Sequence, residues 1–234
     1  MSKDTSLYYV KTLIMSNSLK NFTAMGHFSN VSADTIERKL PKANSSCQEM
    51  LKIAQEFFRD HKELYLVIDD TFIHKKYSEF IEGTDDHFDS KIYQTVRSFK
   101  LITFGITDGK HILPLSCDFL FGKFLPEKQT PSKFEIIKKI ILYTKKQFSN
   151  QKITVIADGA FSSVEMLSWC KTNDIFADFR MHNNRKVSYK GKLQIIKEIT
   201  DLKPKGKQKS RTIRVVWHEL VLYLTRFFND AYVN

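Results

Sequence analysis

A mixed α/β sheet flanked by helices is the fold class this sequence predicts, on three observations. Two short apolar runs, Leu64–Ile68 and Ile153–Ala157, each run straight into aspartate. Strands apolar on both faces belong in the middle of a covered sheet. Between them, Phe99–Thr107 and His111–Phe119 flank Asp108-Gly109, the strongest short hairpin signal. Segments with helical spacing separate the two apolar runs, and an antiparallel hairpin joined to parallel units through crossover helices makes a mixed sheet.

Residues 1–45 carry mixed helical signals, with an apolar patch at Leu7–Val10, a cap at Ser32–Asp34 before Thr35–Leu40, and Pro41 as a stop. They read as a small helical N-terminal region. Ser46 and Glu49 then have capping-box spacing, and Met50, Ile53, Ala54 and Phe57 recur on one helical face. The strand Leu64–Ile68 ends at Asp69-Asp70-Thr71, and Ser78–Asp89 reads as an acidic loop. Beyond the hairpin, Thr130-Pro131 opens a long helix, with Pro at its first position and Phe134, Ile137 and Ile141 on one face.

The second apolar strand terminates in Asp158-Gly159. Ser162 and Glu165 form another capping box, opening a helix with Val164, Leu167 and Cys170 inward, and Ile175–Met181 reads as one more strand. From Lys186 the pattern changes to short β-like runs, Leu193–Ile196, Thr212–Trp217 and Leu220–Leu224, separated by Lys, Gly and Pro. The expected divisions are therefore 1–45, 46–185 and a β-rich element over 186–234.

A length of 234 residues suits one medium domain, or a domain with an appendage. With 42% apolar and 27% charged residues, the chain is not collagen-like, mucin-like or wholly disordered. No apolar run approaches the roughly 20 residues of a bilayer span, so no membrane partner is expected. The N-terminus lacks an uninterrupted signal-peptide core, and Cys47, Cys117 and Cys170 form no CxxC pair. These features point to a reducing, cytoplasmic compartment.

The charge is unbalanced: 37 basic minus 26 acidic residues gives +11, which favours polyanionic partners. Between Arg180 and Arg214 twelve basic residues face two acids, or +10; between Asp60 and Asp89 nine acids face three bases, or −6. Basic surface and acidic cluster are thus different parts of the chain. A site holding metal ions beside a polyanion uses both.

Asp69 and Asp158 carry the chemistry. Each follows a buried apolar strand, at the carboxyl end where open α/β sheets place their ligand sites. Acids also end strands simply as caps and turn residues, and that reading suffices for either one alone. Side by side, two carboxylates repel unless a cation neutralises them, and hard divalent ions such as Mg²⁺ or Mn²⁺ take carboxylate oxygens, water and phosphate. Such ions activate a water or a 3′ hydroxyl and stabilise the leaving oxygen of a phosphodiester. Asp70 reads as a turn acid, because neighbouring strand side chains point to opposite faces. Thr71 is either a hydrogen-bond partner of a carboxylate or a β-branched strand end.

The stretches Leu66-Val67-Ile68-Asp69-Asp70-Thr71, Val155-Ile156-Ala157-Asp158-Gly159-Ala160-Phe161 and Phe179-Arg180-Met181-His182-Asn183-Asn184-Arg185, in that order, resemble a bacterial DDE-type insertion-sequence transposase. The resemblance covers roughly Ser32 to Leu224. It implies an RNase H-like catalytic core over 46–185 and a partial β-rich insertion after it. It implies Asp69 and Asp158 as catalytic ligands of Mg²⁺ or Mn²⁺. DNA is then the partner: element ends are nicked and the freed 3′ hydroxyl is transferred to target DNA, with a possible homodimer on paired ends and a nucleoid-associated location.

Arg180, Arg185 and Lys186 would contact phosphates or form a solvated positive face. The run Lys203–Arg214, with Lys205, Lys207, Lys209 and Arg211, is either a phosphate-gripping turn or a flexible loop. Tyr189, Trp217 and Tyr223 are expected to pack in the β-element rather than stack on bases.

The family's third acid, a Glu on a later helix, has no clear counterpart. Tyr223, Arg226 and Asp230 match part of its spacing inside a stretch that reads as strand, and Glu198 and Glu219 are weak substitutes. The expectation is a truncated copy, with a DNA-binding remnant that does not cut, or another RNase H-like nuclease, as alternatives.

Overall fold

Leu64, Leu66 and Ile68 are exposed by 2% or less, and the strand they belong to outruns the apolar segment: β1 spans Glu63–His74. The computed structural model describes residues 34, 47–75, 81, 83–89, 92–120, 131–203 and 209–227. The expected helix at Thr35–Leu40, Lys205, Lys207 and Asp230 lie outside them. The chain divides into two units, Met1–Ile53 and Ala54–Asn234. Helix α1 (Cys47–Phe57) contributes residues to both.

Within the second unit, β2 (Asp85–Asp89), β3 (Gln94–Thr107), β4 (Ile112–Leu120), β5 (Lys152–Ala157) and β6 (Phe176–Phe179) join β1 in one mixed sheet. β1 is central. β3 runs antiparallel to it on one side, from Tyr65↔Thr107 to His74↔Ser98, and β5 runs parallel on the other, from Glu63↔Lys152 to Ile68↔Ala157. β6 pairs parallel with β5, while β4 and β2 both pair antiparallel with β3. Four strands joined by antiparallel pairings, then two added in parallel, with the first strand in the middle, match the mixed sheet expected from the sequence.

Directly paired residues share a face, so the register assigns the core. Leu66 stands between Ile106 and Val155, and Ile68 between Phe104 and Ala157; all are exposed by 6% or less. Helices α2 (Lys133–Gln147) and α3 (Val164–Thr172) follow β4 and β5. They lie alongside each other: Lys138 Nζ is 2.9 Å from Glu165 near their starts, and Lys145 Nζ donates to the Asn173 and Asp174 carbonyls near their ends.

Several expectations need correcting. Asp69, Asp70 and Thr71 lie inside β1 rather than beyond it, because the long β3 supplies partners as far as His74. The acidic stretch is not all loop: Asp85–Asp89 is a strand, tied to β3 by an ion pair between Asp86 and Arg97 (3.0 Å). Pro131 precedes its helix instead of opening it. Ser132 is the cap, accepting from Glu135 N–H while the Glu135 carboxylate accepts from Ser132 N–H. The cap of α3 is Ser163, one residue later than expected, and Ser162 turns its hydroxyl to the Gly159 carbonyl instead.

A second sheet begins at Lys186. It comprises β7 (Lys186–Tyr189), β8 (Lys192–Ile195), β9 (Ser210–Trp217) and β10 (Leu220–Phe227), ordered β10-β9-β7-β8. His218 and Glu219, at φ 45° and 68°, make the two-residue turn between β9 and β10; positive φ at both positions matches the right-handed strand twist. Val187, Ile213, Val215, Trp217 and Leu224 form the core of this element, and Val164, Leu167 and Met181 pack against it. Val164 and Leu167, expected to point inward, do so against this second core.

Candidate functional site

The site is built where β1 and β5 stop pairing. The last pair is Ile68↔Ala157, and the next residue after each is aspartate: Asp69 inside β1 and Asp158 just beyond β5. Neighbouring strands are about 4.8 Å apart, so the two carboxylates leave adjacent backbone positions. Alternation places Asp69 on the face of Tyr65 and Val67, whose register partners are Thr154 and Ile156, and Asp158 is the first residue after β5. Both aspartates are exposed. Asp69 Oδ1 accepts from the Asp70 N–H, and Thr103 Oγ1 donates to the Asp69 carbonyl (3.2 Å). Asp158 Oδ1 accepts from the Ala160 N–H (2.9 Å), which fixes the turn after the strand.

Asp70 belongs to the other face, with Leu66 and Ile68. Its Oδ2 is 2.9 Å from Lys133 Nζ and 3.0 Å from Lys100 Nζ. Burial pushes its carboxyl up, but hydrogen bonds and charge from the two ammoniums more than offset this and hold it below the usual carboxylate range. Thr71 is exposed in β1, and the hydroxyl beside Asp69 is that of Thr103.

Two exposed carboxylates on adjacent strands form an all-oxygen donor pair. That pair fits a hard divalent ion whose remaining positions are filled by water and phosphate oxygens. Among the described residues no group of three or more His, Cys, Asp or Glu is arranged to hold a metal ion. Glu198 lies in a short 3₁₀ turn, Glu219 in the β9–β10 turn and Arg226 in β10.

The basic residues divide by use. Arg180, Lys186 and Lys209 are exposed, and Arg211 is half-buried. Arg185 is engaged inside the fold: its guanidinium lies 4.7 Å from the Trp217 ring centroid, and Nη1 donates to the buried Ser162 carbonyl. Trp217 is buried and Tyr189 donates to Asp201 (2.9 Å), but Tyr223 is 71% exposed, against the expectation that it packs. Its cross-strand partner is the exposed Arg214.

Sequence reasoning missed Lys100, Lys133, Thr103 and His182. The His182 imidazole lies against buried Gly159, where a Cβ would come within 2.7 Å of Nε2. No local pattern signals these residues, since each meets its partner across 23 to 63 positions. The described helices include none long and apolar enough to cross a membrane.

The fold and the carboxylate pair define a mixed α/β domain with two acids just past the last paired residues of its central parallel strands. No family model matches the chain, and no curated protein does. Solved structures with a similar layout are transposase complexes. A piggyBac transposase synaptic complex with hairpin DNA shares 11% identity over 98% of this chain and 52% of its own, with a TM-score of 0.41. The Mos1 transposase paired-end complex with left transposon end shares 8% over 74% and 57%, TM-score 0.29. The Mos1 mariner paired-end complex with Mn shares 9% over 75% and 58%, TM-score 0.28. The chain thus spans little more than half the length of these proteins, and the functional reading rests on its own residues.

Proposed function

We propose that this chain is the nucleic-acid-cleaving core of a DDE-type DNA transposase, using Asp69 and Asp158 to hold Mg²⁺ or Mn²⁺. The observation that supports it is the β1–β5 register, which brings the two aspartates to the same position past the last paired residues. In this reading residues 46–185 are the catalytic core and the element from Lys186 grips DNA.

The chain's own residues divide the work. Asp69 and Asp158 present oxygens on one face of the sheet, and Thr103 and the Ala160 N–H steady the backbone and carboxylate beside them. Arg180, Lys186, Lys209 and Arg211 hold phosphates, which gives affinity that falls with salt and little sequence preference. Bound at the aspartate pair, the divalent ion supplies Lewis acidity for water attack on a phosphodiester and for departure of the 3′ oxygen. The freed 3′ hydroxyl is then the nucleophile that attacks a target phosphodiester, whose own 3′ oxygen leaves as the new bond forms, and two copies acting on paired ends would couple both cuts.

A supercoiled-plasmid nicking assay in Mg²⁺ or Mn²⁺ tests the proposal. Nicking by the wild type, lost in both Asp69→Asn and Asp158→Asn with DNA binding retained, is the expected result. Nicking that survives either substitution sinks it. Salt-sensitive DNA binding with no nicking identifies a non-cutting DNA-binding protein instead, and preference for RNA–DNA hybrid identifies another nuclease of this fold.

A further inference from the structure

We infer that Arg185 is a positioning residue of the candidate site, tying the second sheet to the turn that carries Asp158. The inference rests on the functional reading above and assigns Arg185 a task other than gripping DNA.

The turn Asp158–Ser162 is held from within and from outside. Within it, the Ala160 N–H donates to Asp158 Oδ1 and the Ser162 hydroxyl donates to the Gly159 carbonyl (3.0 Å). From α2, Lys133 Nζ stands 3.8 Å from the Phe161 ring centroid. From the segment after β6, the His182 ring lies against Gly159. Arg185 completes the set. Its Nη1 donates to the Ser162 carbonyl, and its guanidinium stacks on Trp217 of β9.

Ser162 is fully buried and Trp217 is 9% exposed, so the link runs through the interior. A charged donor on a buried carbonyl is a strong hydrogen bond, and its removal leaves that carbonyl unsatisfied. Lysine does not replace it, because the contact needs a planar fork that donates and stacks together. Trp217 sits in the core shared by β7, β9, β10 and α3. Arg185 is therefore a direct side-chain link from the second sheet to the Asp158 turn, alongside the packing of Val164 and Leu167 of α3 on the same core.

The test uses the full chain carrying Arg185→Lys, with Arg185→Ala and Trp217→Phe as companions so that one misfolded variant does not decide the matter. Hydrogen exchange reads the turn directly, Mn²⁺ titration followed by electron paramagnetic resonance reads the carboxylate pair, and DNA binding in EDTA reads phosphate contacts. In Arg185→Lys we expect amides of Ala160 to Ser163 to exchange about tenfold faster while β1 amides are unchanged. Mn²⁺ affinity should fall about tenfold or more, the usual effect of losing a group that orients a metal ligand, and DNA binding in EDTA should stay at the wild-type level.

Wild-type exchange and Mn²⁺ affinity in Arg185→Lys and Arg185→Ala would overturn the inference. So would weaker DNA binding in EDTA with both of those unchanged, which makes Arg185 a phosphate contact. If wild type binds Mn²⁺ no better than Asp158→Asn, the functional reading fails on its own, and the exchange data still decide whether Arg185 holds the turn.

Discussion

Asp69 and Asp70 are neighbours in the chain and opposites in the sheet. Asp69 is exposed, whereas Asp70 is clasped by Lys100 and Lys133 on the face of the buried core. Two identical side chains, one residue apart, therefore have different chemistry. The free one suits a cation, and the other is already neutralised.

Replacing Asp70 with asparagine should destabilise the fold without disturbing the carboxylate pair. The Asp70 carboxyl is held below its usual value by the two ammoniums despite partial burial. Its contribution is therefore present above about pH 4, the unfolded carboxylate's range, and is lost as pH falls through the lower folded value. Urea unfolding at pH 7 should show a loss of about 1–3 kcal/mol. The difference should shrink at pH 3; a gap of the same size there would mean that the ion triplet is not its source.

Lys186 and Lys209 are exposed, and the proposed role for them is phosphate contact. Changing either to alanine should weaken binding to unrelated DNA sequences by similar factors. It should also reduce the slope of log affinity against log salt by about one each. An unaltered slope, measured by filter binding across a salt series, would remove that residue from the interface.

Two aromatic residues of the second sheet should behave oppositely. Trp217 is 9% exposed and carries the Arg185 guanidinium, whereas Tyr223 is 71% exposed. Trp217→Ala should lose about 3–5 kcal/mol of stability, and Tyr223→Ala should stay within about 0.5 kcal/mol of wild type. Thermal melts of both variants settle the comparison, and a large loss for Tyr223→Ala would contradict its outward placement.

Gly159 is required by its neighbour rather than by its backbone. An added Cβ would stand 2.7 Å from His182 Nε2 and 2.9 Å from Cε1, closer than carbon atoms pack. Because His182 is exposed and its ring end can swing aside, Gly159→Ala should cost about 1 kcal/mol or less, and Gly159→Ala combined with His182→Ala should recover most of it. Additive losses in this double-mutant cycle would show that the two residues do not collide.

The parts of the fold written in local pattern were legible. Leu64–Ile68 and Ile153–Ala157 became the central parallel pair, and Asp108-Gly109 marked a real hairpin, because burial and turn chemistry act over a few residues. Asp85–Asp89 escaped notice because its strand character comes from pairing with β3 and from Arg97, not from β-formers of its own. The same limit hid the surroundings of the site. Lys133 reaches Asp70 across 63 positions and Arg185 reaches Ser162 across 23, and no periodicity encodes such meetings. Asp69 and Asp158 stand out in the sequence as candidates, whereas the contacts of Lys133 with Asp70 and of Arg185 with Ser162 do not.

The parallel contact of Ile68 with Ala157 joins residues 89 positions apart, and this has a consequence for biosynthesis. The entropy of closing so long a segment must be met before the contact stabilises anything, and parallel pairings of this separation form slowly. A nascent chain on the ribosome carries Asp69 from early on but gains its companion only after β5 has emerged and docked. Under the proposed function, a half-made polypeptide therefore has no complete cutting site.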